Sequence, residues 1–269
     1  MSSTAKWIFF DIDGTLWDEK QRIPDSTVRT IKALRENGHK CFICSGRARG
    51  NMQAKHLFDI GFDGVVAACG NFVELDGEVL YNHLLPEDVV RRTIEVTRRC
   101  NMPVVLEGPK DHWISEKGFE SDPYIDYLYE LLGDAAHPLR GYEEGIKMNK
   151  FSADIFPDTD YETIKRELGD VYDFLEHEGI VVEMIPKGTG KATGIKWLCE
   201  HLGIPVEDTY AVGDSVNDLD MLQFVGHSIA MGNGTQVAKD AAEYVTTGLW
   251  EDGIQKAMEH YGLVSLIKS

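Results

Sequence analysis

Trp7 to Phe10 is a run of four apolar residues that leads into Asp11, Asp13 and Gly14, the pattern of a short, buried strand in a parallel sheet. Pro24-Asp25-Ser26 then opens a segment in which Val28, Ile31 and Leu34 share one helical face, and Gly38 closes it. His39 to Cys44 reads as a second strand, ending at Ser45-Gly46-Arg47. A helix is predicted over about Ala48 to Asp59 and a strand over Val65 to Ala68, followed by two short strands around Asp76-Gly77, a hairpin signal. Strands that alternate with helices predict a parallel sheet with helices on both faces.

The texture changes between about His83 and Ile185. A helix from Pro86 precedes strands at Val104 to Glu107 and His112 to Ser115, a helix at Tyr124 to Leu132 and a strand at Lys150 to Phe156. A helix at Tyr161 to Leu168 then leads to strands at Asp173 to Glu176 and Ile180 to Ile185. That is roughly 100 residues, enough for a domain. From Lys191 the first pattern returns: a helix at Ala192 to Leu202, a strand at Thr209 to Val212, a helix from about Asn217, a strand at His227 to Ala230 and closing helices. The expected fold is α/β: a Rossmann-like parallel core made of residues 1–82 and 186–269, interrupted by an inserted α/β domain at 83–185.

Composition agrees with two domains, since 269 residues with 43% hydrophobic content exceed what one core usually serves. Charge narrows the functional classes. The chain has 27 Lys and Arg against 45 Asp and Glu, a net charge of -18, so it lacks the basic footprint that clamping nucleic acid or anionic lipid requires. An acid excess serves solubility, unless a few of the carboxylates hold a cation. The N-terminal residues show no signal-peptide pattern, and no apolar stretch approaches the length needed to span a bilayer; a cytoplasmic protein is expected. Cys41, Cys44, Cys69, Cys100 and Cys199 are odd in number, and a spacing of three within a strand turns Cys41 and Cys44 to opposite faces. Buried, reduced thiols are expected.

In a parallel sheet, ligands sit beyond the carboxyl ends of the strands. The residues predicted there are Asp11 and Asp13, Ser45 and Gly46, and Gly213-Asp214 with Asn217-Asp218, while Lys191 stands at a helix start. Together they are equipped to handle a phosphoryl group. Asp11 offers a carboxylate to attack phosphorus, and Asp13, two residues on, offers an acid for the leaving oxygen. Asp11 and Asp214 are hard oxygen ligands of the kind Mg2+ takes, with Asp218 placed to orient the metal's surroundings. Ser45 and the Gly46 amide offer donors to phosphate oxygens, and Lys191 offers positive charge to the transferring group. Taken singly, an Asp-x-Asp is most often solvated surface and a Ser-Gly a turn. The segment around Lys191 also fails the phosphate-loop pattern, with Ile185 six residues before it and Ala192 after it. Four such segments at four strand ends or helix starts of one sheet are what carry the reading.

With these motifs the chain resembles the haloacid dehalogenase superfamily phosphatases of the Cof type, subfamily IIB, which insert a large α/β cap between their second and third motifs. Asp11-Ile12-Asp13-Gly14-Thr15-Leu16 matches the first motif and Ser45-Gly46-Arg47 the second. Lys191 matches the third, and Gly213-Asp214-Ser215-Val216-Asn217-Asp218 with Asp220-Met221 matches the fourth. The resemblance implies a Mg2+-dependent phosphomonoesterase. Asp11 would be the nucleophile and Asp13 the acid and base. The metal would be held by Asp11, the Asp13 carbonyl and Asp214, with Asp218 in support, and the phosphate by Ser45, Gly46, Lys191 and Asn217. Small phosphorylated metabolites, such as sugar phosphates, pyridoxal phosphate and flavin mononucleotide, are the implied substrates. Relatives often carry Asn-Gly-Ala where this chain reads Ala68-Cys69-Gly70-Asn71, so no role is carried over to that stretch.

Three rivals are weaker. A phosphoacceptor signalling module needs no acid at the position of Asp13 and is about half as long, a phosphomutase should differ in the fourth motif, and an idle binding protein would lack part of the set. His112, Trp113 and Met148 of the inserted domain are candidates for specificity, although core packing explains such residues as well.

Overall fold

The apolar run Trp7–Phe10 forms β1, and the computed structural model places it inside an eight-stranded sheet. Residues 5–119, 122–177 and 179–265 are described. The chain divides into two compact units, one of Met1–Gly46, Ala54–Leu80 and Gly190–Ser269, the other of Arg47–Gln53 and Tyr81–Thr189. After β1 come α1 (Asp25–Glu36), β2 (Lys40–Cys44), α2 (Lys55–Phe58) and β3 (Gly64–Ala67). A hairpin of β4 (Phe72–Leu75) and β5 (Glu78–Asn82) follows, and its turn residues Asp76 and Gly77 both have positive φ, as such a tight turn requires.

The inserted stretch supplies α3 (Glu87–Arg99), β6 (Val104–Glu107), β7 (His112–Ser115), α4 (Pro123–Leu132), β8 (Ala136–Leu139), β9 (Lys150–Asp154), α5 (Tyr161–Leu168), β10 (Tyr172–Glu176) and β11 (Val181–Pro186). The chain then returns to the first unit with α6 (Lys191–Leu202), β12 (Thr209–Gly213), α7 (Leu219–Phe224), β13 (His227–Ala230), α8 (Gln236–Ala241), β14 (Tyr244–Val245) and α9 (Gly253–His260).

The sheet of the first unit runs β14-β13-β12-β1-β2-β3-β4-β5. β1 is parallel to β2 on one side and to β12 on the other, with Phe10 opposite Ile43 and Val212. The chain leaves β1 in one direction and returns on its other flank, so β1 and β12 border the point where ligands of such sheets bind. Ile8, Phe9, Phe10 and Phe42 are fully buried, and each such side chain contributes roughly 1.5–3 kcal/mol to holding the strands in place.

The sheet of the second unit runs β10-β11-β9-β6-β7-β8, antiparallel except between β7 and β8. Val104, Leu106, Phe151, Val182 and Met184 alternate onto one face, where Val90, Ile94, Ile164 and Leu168 of α3 and α5 cover them. Val105 and Ile114 face the other way, against Ile125, Leu128 and Leu132 of α4. Met148 belongs to the first of these cores and Trp113 packs on it, which is the packing explanation of both residues. His112 is fully buried beside Gly50, where a Cβ would come within 2.5 Å of its Cε1. A buried cation that sequence patterns do not reveal, Lys150, lies 3.0 Å from Glu183 and 3.6 Å from Glu107.

Some elements differ from the expectation. Instead of a helix over Ala48 to Asp59 there is a single 3-10 turn, Arg49–Asn51, and the four residues of α2. Gly50 weakens a helix there, and tertiary contacts hold the segment instead: Asn51 Nδ2 donates to Glu107 Oε2 at 3.0 Å. α6 begins at Lys191 itself, and the helix expected from Asn217 is a 3-10 turn, Val216–Asp218, leading into α7. β8 has no strand pattern; its Pro138 is tolerated because β8 is an edge strand. All five cysteines are buried thiols outside any disulfide. Among the described residues no helix is long and apolar enough to cross a membrane.

Candidate active site

Asp11 extends β1 by one residue, its N–H donating to the carbonyl of Val212 at 3.0 Å. The chain then turns back on itself: the amides of Leu16 and Trp17 both donate to the Ile12 carbonyl. Gly14 makes the turn possible in two ways. Its φ is 82°, in the left-handed region, and a Cβ would stand 2.5 Å from Asp214 Oδ2. The turn therefore lies directly against the carboxylate that follows β12. Thr15 Oγ1 donates to Asp214 Oδ1 at 3.1 Å, and Asn233 Nδ2 donates to the Gly14 carbonyl at 2.8 Å. We expect Gly14→Ala to cost roughly 1–3 kcal/mol through strain and to displace Asp214. Thermal unfolding and a Mg2+ titration would report the two effects, as a lower midpoint and a weaker affinity.

Lys191 enters from the first turn of α6 with 1% of its surface exposed, and its Nζ lies 2.6 Å from Asp11 Oδ1 and 2.5 Å from Asp218 Oδ1. The second oxygen of Asp218 accepts the backbone N–H groups of Asp214 at 2.8 Å and Ser215 at 3.0 Å. Both Asp218 oxygens are thus committed to donors, which suits a supporting role better than direct metal ligation. Asp11, Asp214 and Asp218 each bring one oxygen within 4.8 Å of the others. Three carboxylates against one ammonium leave two negative charges when all are ionised, and the donors are hard oxygens. That set fits a divalent cation such as Mg2+, held by Asp11 and Asp214.

The electrostatics follow from burial and crowding. Burial pushes the Asp11 carboxyl well above the usual carboxylate range, and the charges of Asp218 and Asp214 add to this while Lys191 opposes it. Asp214 is pushed up to about 6 by burial and by Asp218, against the Thr15 hydroxyl and Lys191. For Lys191 burial disfavours the charge, but Asp11 and Asp218 outweigh it and lift the ammonium well above its ordinary value. The lysine stays protonated, and a further positive charge is what the carboxylates require to stay ionised together.

The remaining predicted residues lie around this cluster. Asp13 is exposed outside it, and its Oδ1 accepts the Trp17 indole N–H at 2.8 Å. Trp17 is itself buried and stacked on His56, so the Asp13 carboxylate is held by a rigid donor. Ser45 is buried at the end of β2, its N–H donating to Val66 O at 2.9 Å, and Gly46 is half-buried beside it. Asn217 is exposed on the 3-10 turn, with its Oδ1 accepting from Ser215 Oγ at 2.7 Å. Sequence reasoning missed Thr15 and Trp17 as contributors. Thr15 stands inside the matched first motif, which is a usable signal, whereas a tryptophan four residues after Asp13 in a loop has no periodic meaning.

Comparison with known proteins decides the family. The haloacid dehalogenase-like hydrolases match residues 8–258. The chain belongs to that family. YkrA of Bacillus subtilis (strain 168), which carries a provisional phosphatase name, is 32% identical over 97% of this chain and 99% of its own length. The 5-amino-6-(5-phospho-D-ribitylamino)uracil phosphatase YitU of the same organism is 29% identical over 97% and 99% of the two chains. Among solved structures, the subclass IIB sugar phosphatase BT4131 superposes with a TM-score of 0.78 at 26% identity, covering 97% of this chain and 100% of that one. This haloacid dehalogenase-like hydrolase thus matches YkrA and YitU over nearly their whole length and shares the fold of BT4131.

Proposed function

We propose that this haloacid dehalogenase-like hydrolase is a Mg2+-dependent phosphatase of small phosphorylated metabolites that works through a phosphoryl group carried on Asp11. The observation that carries the reading is the set formed by the buried Asp11, Lys191 and Asp218 and the half-buried Asp214 at the carboxyl ends of β1 and β12. Lys191 holds Asp11 Oδ1, which leaves Oδ2 to attack phosphorus in line with the leaving oxygen. Asp13, outside the cluster and oriented by Trp17, gives its proton to the departing alcohol and then takes one from the water that releases phosphate. Ser45, Gly46 and Asn217 hold the phosphate oxygens, and Lys191 offsets their charge. When bound by Asp11, the Asp13 carbonyl and Asp214, Mg2+ supplies positive charge to the phosphoryl oxygens.

The phosphatase names of YitU and BT4131 support the ester class, and both names specify small phosphorylated or sugar substrates. An anionic chain has no long-range attraction for such substrates, so the positive field must be local. We assign the inserted unit the task of limiting substrates to small esters, and we take the partners to be neither nucleic acid nor membrane. The test is a panel of sugar phosphates, pyridoxal phosphate and flavin mononucleotide with Mg2+, read as phosphate release. Hydrolysis of at least one class is expected, with Asp13→Asn slower by roughly 10² to 10⁴, the usual scale for losing an acid and base. No release from any ester, or an Asp13→Asn variant equal to wild type in single turnovers, would contradict the proposal.

A further inference from the structure

Lys191 occupies an unfavourable place. It is the first residue of α6, where the helix presents positive partial charge and unpaired N–H groups, and it is buried as well. Its direction into the carboxylate cluster is set by the backbone of Gly190 to Ala192, so whatever fixes that backbone fixes the ammonium.

Two groups grip it. On one side is Asp220, the second residue of α7. Its Oδ2 accepts the Ala192 N–H at 2.9 Å and its Oδ1 accepts the Met221 N–H at 2.8 Å, so one carboxylate ties the start of α6 to α7. Gly190 is extended, a conformation open to any residue, yet a Cβ there would lie 2.1 Å from Asp220 Oδ2. Glycine is needed at 190 for close approach and not for its dihedral angles. On the other side is the turn Ala68-Cys69-Gly70, left-handed at three successive residues with φ of 51°, 50° and 81°. Asn71 Nδ2 holds this turn by donating to the carbonyls of Ala68 at 2.9 Å and Cys69 at 3.3 Å. A Cβ on Gly70 would meet the Gly190 carbonyl at 2.1 Å, and one on Gly194 would meet the Gly70 Cα at 2.9 Å. The stretch that departs from the relatives' Asn-Gly-Ala therefore has a place here, as the wall against which Asp220 presses the helix start.

We propose that Asp220 is a positioning residue for Lys191: by accepting the Ala192 N–H and offsetting the positive end of α6, it aims the ammonium between Asp11 and Asp218. This rests on the phosphatase reading above. A carboxylate that only capped the helix would affect stability and leave turnover per folded molecule unchanged.

The experiment measures kcat and KM with p-nitrophenyl phosphate and Mg2+, together with thermal unfolding, for wild type, Asp220→Ala, Asp220→Asn, Lys191→Met and the Lys191→Met/Asp220→Ala double variant. We expect Asp220→Ala to lower kcat roughly tenfold to hundredfold at little change in KM, the scale of a group displaced by about 1 Å. Asp220→Asn, whose amide oxygen still accepts the Ala192 N–H but which carries no charge and turns its Nδ2 towards the Met221 N–H, should recover part of that loss and keeps the test valid if the alanine variant does not fold. In the Lys191→Met background the loss of Asp220 should cost little more, as for residues acting through one another. A lower unfolding midpoint with unchanged kcat, or an equal loss in both backgrounds, would overturn the proposal. Inactive wild type would overturn the phosphatase reading together with it, a result distinct from active wild type and an unaffected Asp220 variant.

Discussion

Asp11→Asn should abolish turnover, by roughly 10⁴-fold or more, the scale on which enzymes lose activity when their nucleophile is removed. The substitution keeps the shape of the side chain and replaces a carboxylate with an amide that cannot form an acyl phosphate. The fold should survive. Asp11 is buried beside Asp214 and Asp218, and its burial and their charges already raise its carboxyl well above the usual range. Lys191 keeps Asp218 as a partner at 2.5 Å when Asp11 becomes neutral. Without metal the variant should therefore unfold at the same temperature as wild type or a higher one. Phosphate release and a thermal scan on one preparation test both points, and an active Asp11→Asn variant would move the nucleophile elsewhere.

Removing divalent metal with EDTA should also abolish turnover, and added Mg2+ should restore it. The carboxylates surround the Lys191 ammonium with two charges in excess, so the cation they fit binds the folded state and not the unfolded one. At about a hundred times its dissociation constant, such a ligand stabilises the fold by roughly 2.7 kcal/mol, visible as a higher unfolding midpoint. The pH dependence has a definite sign. Asp214 is raised to about 6 in the folded metal-free protein, from 3.8, so the folded state holds that proton across this interval. The stability it contributes is present below pH 4 and is lost as pH rises through about 6. Metal-free protein should lose stability over that range, Mg2+ should reverse the loss at neutral pH, and Asp214→Asn should remove this contribution to the slope. Turnover unaffected by EDTA would exclude the metal site.

Much of this arrangement was legible along the chain because it depends on local signals. Apolar runs that end in carboxylates and glycine announce strand ends in a parallel sheet, which places Asp11 and Asp214, while Lys191 is placed by the helix it opens. What joins them was not legible: Lys191 and Asp11 are 180 positions apart, and Thr15 and Asp214 are 199 apart. The motifs placed those residues at one end of one sheet without stating that both Asp218 oxygens would be occupied. Other features depend on tertiary contacts alone. Residues 48–59 have helix-compatible composition, yet Gly50 packs against His112 and Asn51 bonds to Glu107, and the helix is lost to those contacts. β8 is held by pairing with β7 despite Pro138. Trp17 matters because its indole reaches Asp13, and Asp220 because it reaches Ala192; neither relation has a period or a motif of its own.

An acyl phosphate on Asp11 distinguishes this chemistry from direct attack of water on the ester, and rapid quenching can trap it. Wild-type enzyme mixed with Mg2+ and a hydrolysable phosphate ester, stopped in acid within milliseconds and digested, is examined by mass spectrometry. With p-nitrophenyl phosphate, whose phenolate departs without a proton from Asp13, one phosphoryl group is expected on the peptide carrying Asp11, more abundant in Asp13→Asn, where its release is slowed, and absent from Asp11→Asn. Turnover by wild type with no phosphoryl group on Asp11 at any time, in either the wild type or Asp13→Asn, would contradict this chemistry.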